Sequence, residues 1–383
     1  MTYKLNLKMS NKSILFITGT RADFGKIKSL LSAVQDLQGF DLSIFVTGMH
    51  LDKDYGYTIN EVLASGFRDE VYPFINFSRN KSMDLALSKT VAGLSDYIQG
   101  KNFDMIVVHG DRPEALAGAI VGSFNNILVA HIEGGEVSGT IDEMIRHSVS
   151  KLAHIHFVSN SNAKKRLVKM GEKPSSIAII GSPDLDFIIN NELPQLEKAK
   201  GHYDIDFEDF GIVLFHPVTT DENFSNNASI FINAIKKIKD NLIVIFPNND
   251  LGSELIIKRY KDELFELPNV RAYPSLRFEY FLSLLKHSKY LLGNSSAGIH
   301  EAPYLKTPSI NVGDRQNGRA FADSIISVPY EINTILSTIE EVKRMSFEFT
   351  NNFGDGNSSE LFINELKRED LWAVAPQKYL YDY

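Results

Sequence analysis

The chain has no cysteine among its 383 residues. That excludes disulfides, thiolate metal sites and cysteine nucleophiles. Positive charge is also scarce: 40 Lys and Arg stand against 48 Asp and Glu, for a formal net charge of −8. No basic run interrupts that balance, so no nucleic-acid partner is expected. Long apolar runs are missing, and none approaches the roughly 20 residues needed to span a bilayer. No membrane partner is expected either. The polar opening MTYKLNLKMSNKS lacks the apolar core of a signal peptide, and its first residues are expected to fray. These absences fit a cytoplasmic protein. G-x-G-x-x-G, G-x-x-x-x-G-K-[ST] and G-x-S-x-G are absent too, which leaves nicotinamide, P-loop and serine-elbow chemistry without support. The histidines lack the spacing of zinc ligands, so no metal site is expected.

What is present is a soluble globular composition, with 43% apolar and 23% charged residues. A chain of this length exceeds one ordinary core, so two domains are expected. Short apolar runs that read as buried strands alternate with helical patterns. The strands fall near 13–18, 42–47, 104–109, 127–131, 155–158 and 177–180. Residues 184–210 break this rhythm and read as the crossing between domains. Strands then resume near 211–215, 241–246, 269–273, 289–292 and 308–312, each but the last with a helix after it. A helix over 331–344, a loop over 345–357 and a helix over 358–367 follow. This alternation predicts an α/β protein with two Rossmann-like, doubly wound parallel sheets. We expect domains over 1–188 and 189–360, with a ligand cleft between them.

The stretch 104–158 carries most of the chemistry. One strand runs into His109-Gly110-Asp111-Arg112 and the next into His131-Ile132-Glu133-Gly134-Gly135-Glu136. In an open parallel sheet, ligands bind outside the carboxyl ends of the strands. Asp111 and Glu133 should therefore reach one rim. A helix starting near Thr140 adds Asp142, Glu143, Arg146 and His147. Each residue has a plain structural reading. Asp111 suits a helix cap, Thr140-x-x-Glu143 matches a capping box, and His109 and His131 suit hydrogen-bonded core positions. The cluster is harder to explain that way. Asp111, Glu133, Glu136 and Asp142 crowd one rim, and crowded carboxylates are expected to raise one another's pKa.

The second half supplies chemistry for anions and ribose. Gly293-Asn294-Ser295-Ser296-Ala297-Gly298 follows a strand and opens a helix, an arrangement that suits phosphate, although Asn294 or Ser295 also suits a plain N-cap. Glu301, one turn in, suits the two hydroxyls of a ribose. Arg315 in GDRQNGR follows the next strand and suits bidentate pairing with phosphate. His216 in HPVTTD and Asn248 in FPNND end the preceding strands; one suits a backbone-bonded histidine, the other a turn. Arg21 and Lys26, at the first strand–helix turn, add positive charge from the other half. The residues alone thus predict a nucleotide-diphosphate site facing an acid cluster, as a nucleotide-sugar enzyme requires.

The motifs GTRAD, TGMH, HGDR, HIEGGEVSGTIDE, HPVTTD, FPNND, GNSSAG, GDRQNGR and NFGDGN resemble the hydrolysing UDP-N-acetylglucosamine 2-epimerases, from about residue 13 to 357. HIEGGEVSGTIDE is highly specific, while HGD or HP alone is not. The resemblance implies the glycosyltransferase-B arrangement, with the C-terminal helix over 361–383 packing back on the first domain. It implies conversion of UDP-N-acetylglucosamine and water to N-acetylmannosamine and UDP, for nonulosonic (sialic) acid synthesis, without cofactor or metal. It places the acids on Asp111, Glu133 and Asp142, with Glu143 able to take the role of Asp142. UDP contacts fall on Arg21, Arg112, His216, Asn248, Ser295, Ser296, Glu301 and Arg315. His216 counts among the catalytic candidates because it would stabilise the departing charge. A homodimer or homotetramer is implied. The non-hydrolysing branch has an HRREN-like motif where this chain has HPVTTD, which favours hydrolysis. The motifs do not separate this substrate from the 2,4-diacetamido-6-deoxy sugar (UDP-N,N'-diacetylbacillosamine) of the legionaminic acid pathway. A glycosyltransferase would need an acceptor groove, which the acids argue against, and a non-catalytic nucleotide-sugar sensor would leave the acids unexplained.

Overall fold

A computed structural model describes residues 11–76, 82–138, 140–190, 193–218, 220–348, 350 and 352–381. The chain before residue 11, Gly139 of the HIEGGEVSGTIDE motif and Thr219 of HPVTTD lie outside the described residues.

The first sheet is built from β1 (Lys12–Thr18), β2 (Phe40–Val46), β3 (Val71–Pro73), β4 (Met105–His109), β5 (Leu128–Ile132), β6 (Ile155–Val158) and β7 (Ile177–Ile179). Its helices are α1 (Arg21–Gln35), α2 (Ile59–Ala64), α3 (Met83–Ile98), α4 (Pro113–Phe124), α5 (Ile141–Leu152) and α6 (Ser161–Lys169). The crossing holds α7 (Leu185–Ile189) and α8 (Leu196–His202). The second sheet contains β8 (Gly211–Leu214), β9 (Leu242–Ile245), β10 (Val270–Tyr273), β11 (Leu291–Gly293), β12 (Ser309–Val312) and β13 (Ile325–Val328). Its helices are α9 (Phe224–Ile235), α10 (Ser253–Glu263), α11 (Phe278–His287), α12 (Glu301–Tyr304) and α13 (Ile332–Val342). The chain closes with α14 (Ser358–Leu366) and α15 (Glu369–Trp372).

All the pairings are parallel. The orders are β3-β2-β1-β4-β5-β6-β7 and β10-β9-β8-β11-β12-β13. Both sheets therefore reverse direction beside their first strand, between β1 and β4 and between β8 and β11. Parallel strands are covered on both faces, which is why they read as unbroken apolar runs. Ile14 and Phe16 face one buried cluster while Leu15 and Ile17 face another. Val213 and Ile212 divide the same way in the second sheet. Among the described residues no helix is long and apolar enough to cross a membrane.

The structure adds β3, β13, α7 and α8 to the elements expected from sequence. Val71–Pro73 ends in proline and Ile325–Val328 is only four residues long, so neither carries a pattern that declares itself. Their neighbours β2 and β12 define them. In place of one helix over 361–383, α14 and α15 are followed by residues 373–381 without helix. Phe362, Leu366 and Leu371 lie in the same cluster as Phe16 and Phe157 of the first sheet. The Phe362 ring stands edge-on to Phe157 at 4.8 Å and to Phe16 at 6.3 Å. The last helices thus cover a face that the first half would otherwise expose. Phe362→Ala should lower unfolding free energy by about 3–5 kcal/mol in denaturant titration, the cost of emptying a fully packed aromatic position. A loss under about 1 kcal/mol would mean that the face collapses without the ring.

Candidate active site

Both reversal points gather polar residues at strand ends. After β1 the chain turns through Gly19 and Thr20 into α1. The Thr20 hydroxyl accepts from the Asp23 amide at 3.1 Å, and the Asp23 carboxylate accepts from the amides of Gly19 and Thr20, each at 3.0 Å. This cap fixes the start of α1 and, with it, Arg21 and Lys26. β4 and β5 are neighbours in register, with His109 opposite Ile132, so Asp111 and Glu133 leave the sheet side by side. Glu133 has φ +60, a left-handed conformation that is costly for a residue with a side chain. In the second sheet Gly293 has φ +148, and a Cβ there would lie 2.0 Å from the Leu214 carbonyl oxygen. Only glycine lets β11 pass that close to β8. Asn294 then joins the two strand ends: its Oδ1 accepts from the His216 amide at 2.7 Å and its Nδ2 donates to the His216 carbonyl at 2.9 Å.

The acids separate into two groups. In the first, Asp142 opens α5; its Oδ2 accepts from the Thr140 hydroxyl at 2.8 Å and from Arg315 of the second half at 3.2 Å. Asp111 is paired with Arg146, which also donates to the Ser138 hydroxyl at 3.0 Å. Arg112 reaches into the second half and donates to Asp250 at 2.7 Å and to Asn249 at 2.5 Å. In the second group, Glu133 accepts from the Ser182 hydroxyl at 2.5 Å and faces His109 at 3.3 Å. Beside it Lys26 stands 3.2 Å from Asp184 and 3.4 Å from Glu301. All four of these last groups, Glu133, Lys26, Asp184 and Glu301, have side chains at most 12% exposed.

Crowding was expected to raise the carboxylates as a group, and the structure corrects this. Burial, reinforced by Asp111, does raise Asp142, against the pull of Arg315. Asp111 moves the other way: burial opposes its charge, but Arg146, Arg319 and Arg112 outweigh it. Glu133 falls well below the usual carboxylate range, because Lys26 and His109 outweigh its burial. The sequence pattern placed the acids together but could not place the cations between them. Glu136 is held by the Ser159 hydroxyl. Glu143 accepts from the Ser138 amide at 2.9 Å and not from the Thr140 amide, so the expected capping box does not form, and Asp142 is the acid that meets Arg315.

The histidines also divide. His131 is a core residue: its ring bonds the Gly110 carbonyl oxygen at 2.8 Å and Ser150 at 3.1 Å, and burial lowers it to about 3. His216 lines the cleft, accepts the Asn248 amide at 3.3 Å on Nδ1, and is lowered to about 3 by burial and by Arg315. It stays neutral at pH 7.

The cleft between the halves holds a cavity of about 170 Å³. Arg21, Lys26, His216, Asn248, Ser295, Ser296, Glu301 and Arg315 all line it. Asp111, Glu133, Asp142 and Arg112 do not border that space directly but adjoin it through Arg315 and Lys26. The expected helix at Gly293–Gly298 is instead a turn of 3-10 helix over Ser296–Gly298, capped by Ser295, ahead of the four-residue α12. Several lining residues carry no motif a sequence would flag: Pro274, Leu276, Phe278 and Phe281 add apolar surface, beside Phe246 of FPNND. Arg146, named from the sequence only as part of its helix, also meets the acids, and so do Asp184, Asp250, His300 and Arg319, which the sequence did not single out. Arg146 sits one turn beyond Asp142, and Arg319 one turn's spacing beyond Arg315, so those spacings were a usable signal. Asp184 had none.

Buried guanidinium nitrogens of Arg21, Arg112 and Arg315 lack hydrogen-bond acceptors. Unpaired donors of this kind fit an anionic ligand. Glu133, Asp184 and His300 bring ligand atoms within 4.8 Å of one another, a spacing that a metal ion could use. The ammonium of Lys26 already supplies a cation beside two of them, and we assign no ion there.

Two doubly wound sheets, with both reversal points turned to one cleft, define a glycosyltransferase-B type protein. More narrowly, the chain belongs to the UDP-N-acetylglucosamine 2-epimerase family, whose model matches residues 32–367. It is 45% identical over 97% of its length to a UDP-N-acetylglucosamine 2-epimerase of Neisseria meningitidis, covering 99% of that protein. It is 36% identical over 93% of its length to a hydrolysing UDP-N,N'-diacetylbacillosamine 2-epimerase of Legionella pneumophila, covering 96% of it. The fold is similar to that of the Methanocaldococcus jannaschii UDP-GlcNAc 2-epimerase solved with UDP-GlcNAc and UDP. The TM-score is 0.76 at 20% identity, over 92% of this chain and 99% of that one.

Because burial holds His131 and His216 neutral, neither ring should titrate between pH 5 and 8 in histidine-selective NMR. A midpoint near the free value of about 6.5 for either ring would contradict the buried, arginine-flanked environment described above.

Proposed function

We propose that the protein is a hydrolysing UDP-N-acetylglucosamine 2-epimerase that forms N-acetylmannosamine and UDP for nonulosonic acid synthesis. One observation carries the reading. Glu133, held well below the usual carboxylate range, and Asp142, raised by burial, adjoin the same cleft, and Arg21, Arg112 and Arg315 from both halves keep buried donors without acceptors. The HPVTTD sequence at His216 supports hydrolysis, and the 45% likeness to the Neisseria enzyme supports the N-acetylglucosamine substrate. Hydrolysis of UDP-N,N'-diacetylbacillosamine is the alternative, supported by the 36% likeness to the Legionella enzyme.

The C2 proton of the sugar is not acidic while the anomeric C–O bond is intact. As that bond stretches, C1 becomes oxocarbenium-like and the C2 proton acidifies. Glu133 takes that proton. The C2–H electron pair becomes the C1–C2 double bond, and the C1–O pair leaves with UDP, giving a 2-acetamidoglucal. Arg21, Arg112, Arg315 and neutral His216, with Ser295 and Ser296, receive the charge that builds on the diphosphate. Asn248 and Glu301 hold the nucleoside hydroxyls. Asp142 then returns a proton to the opposite face of C2, and water adds at C1 and restores the Asp142 proton. Asp111, fixed by Arg146, orients that water. The proton on Glu133 leaves to solvent, which balances the reaction.

In heavy water the product should carry deuterium at C2. In oxygen-18 water it should carry the label at C1, with none in UDP. Original hydrogen kept at C2, or label in UDP, would rule the mechanism out. Arg315→Ala should weaken UDP binding by about 1.5–3 kcal/mol in calorimetry, the value of a lost charge-assisted contact. Glu133→Gln and Asp111→Asn should bind UDP like the parent yet lose on the order of 100-fold or more in turnover.

We also propose a homo-oligomer, supported by the large exposed side chains of Phe124 on α4 and Met144 on α5. Light scattering should give a mass at least twice 43.0 kDa, and a mass near that monomer value at micromolar protein would reject the assembly.

A further inference from the structure

We propose that Asp184 is a positioning residue for Glu133, acting through the Lys26 ammonium that it shares with Glu133 and Glu301. The inference rests on Glu133 being the base of the proposed reaction.

Asp184 is fully buried, and among the described residues no donor other than the Lys26 ammonium meets its carboxylate oxygens. A carboxylate kept only for folding would be expected to have such donors. What faces it is Lys26 from α1, with Nζ 3.2 Å from Oδ2. The same turn, Gly181-Ser182-Pro183-Asp184, also carries the Ser182 hydroxyl that donates to Glu133 at 2.5 Å. The turn is clamped from behind. The Ser182 amide donates to the Phe353 carbonyl at 2.7 Å, and Gly181, at φ +83, packs against Gly354. One short segment therefore acts on Glu133 twice, by contact through Ser182 and through the field of the ammonium that Asp184 holds. That ammonium also reaches Glu301 of the second half at 3.4 Å.

Three carboxylates thus share one buried cation. The groups facing Asp184 are Lys26, Glu133 with its partner His109, and His300, Glu301 and Tyr304 around α12. Burial raises Asp184 to about 7; Lys26 opposes that rise, and Glu301 and Glu133 add to it. Burial and Lys26 keep His300 well below its usual range, so it carries no compensating charge. When Asp184 is ionised, it holds the ammonium and leaves Glu133 a stronger base. When Asp184 is protonated, the ammonium is left to Glu133 and Glu301, and Glu133 becomes a weaker one. Turnover should then fall as pH drops through about 7.

The test compares the parent with Asp184→Asn, a change that keeps the shape and removes the charge. UDP release from UDP-N-acetylglucosamine is followed from pH 5.5 to 9, with kcat and KM separated, and melting temperature is followed across pH 4 to 8. The parent should show an acid limb near pH 7 in kcat. Asp184→Asn should lack that limb and lie on the order of tenfold below the parent at pH 8, with KM changed less than about threefold. A purely structural role would lower activity without changing the shape of the profile.

The melting data need no turnover. A folded-state pKa near 7, above the unfolded value of about 3.9, means that Asp184 costs stability as pH rises through that window. The melting temperature of Asp184→Asn relative to the parent should therefore increase from pH 4 to 7. A parent that releases UDP from neither UDP-N-acetylglucosamine nor UDP-N,N'-diacetylbacillosamine overturns the hydrolysing reading, and the base role of Glu133 with it. A parent that turns over while Asp184→Asn keeps the same acid limb overturns the role of Asp184 alone. So does a melting difference that is constant with pH.

Discussion

The site depends on cations from one half answering carboxylates of the other. Lys26, on the first helix, stands between Asp184 of its own half and Glu301 of the second. Arg112 crosses to Asp250, and Arg315 crosses back to Asp142. Each of these groups is largely removed from water. A buried charge without its partner is strongly unfavourable, so removing one member of such a pair usually costs more than the pair itself contributes. The two sheets have separate apolar cores. The charged groups at their rims are stable in place only when the rims meet. The cleft is thus an electrostatic seam as well as a binding space.

That seam also sorts the acids. Carboxylates on neighbouring strand ends would ordinarily repel and hold protons. Arg146, Arg319 and Arg112 around Asp111, and Lys26 with His109 around Glu133, reverse that for two of them. Asp142, deeper among carboxylates, keeps its proton to higher pH. Two carboxylates of one site thus differ in proton affinity, the arrangement from which acid and base roles can be drawn. The arginines keep donors free in the same space, and the neutral His216 beside them adds polarity without another charge.

The sequence alone determined the βα rhythm, because parallel strands covered on both faces must be continuous apolar runs. It placed the residues at strand ends, because a ligand site in such sheets lies at their carboxyl edge. Asp111, Glu133, His216 and Ser295 were legible for that reason, whereas the need for glycine where β11 passes β8 appears only once the strands are packed. Short elements that rely on neighbours were not legible. Val71–Pro73 and Ile325–Val328 become strands because β2 and β12 offer them hydrogen bonds.

Only the tertiary structure decided which charge faces which. Asp184 reads in sequence as one more acid in a loop, yet it lies 3.2 Å from an ammonium 158 positions earlier in the chain. Pro274, Leu276 and Phe281 read as ordinary residues of their elements, yet they line the cleft. The direction of each carboxylate's shift had the same origin. A pKa is set by burial and by charges within a few ångströms, and those distances exist only after segments far apart in the chain have packed together.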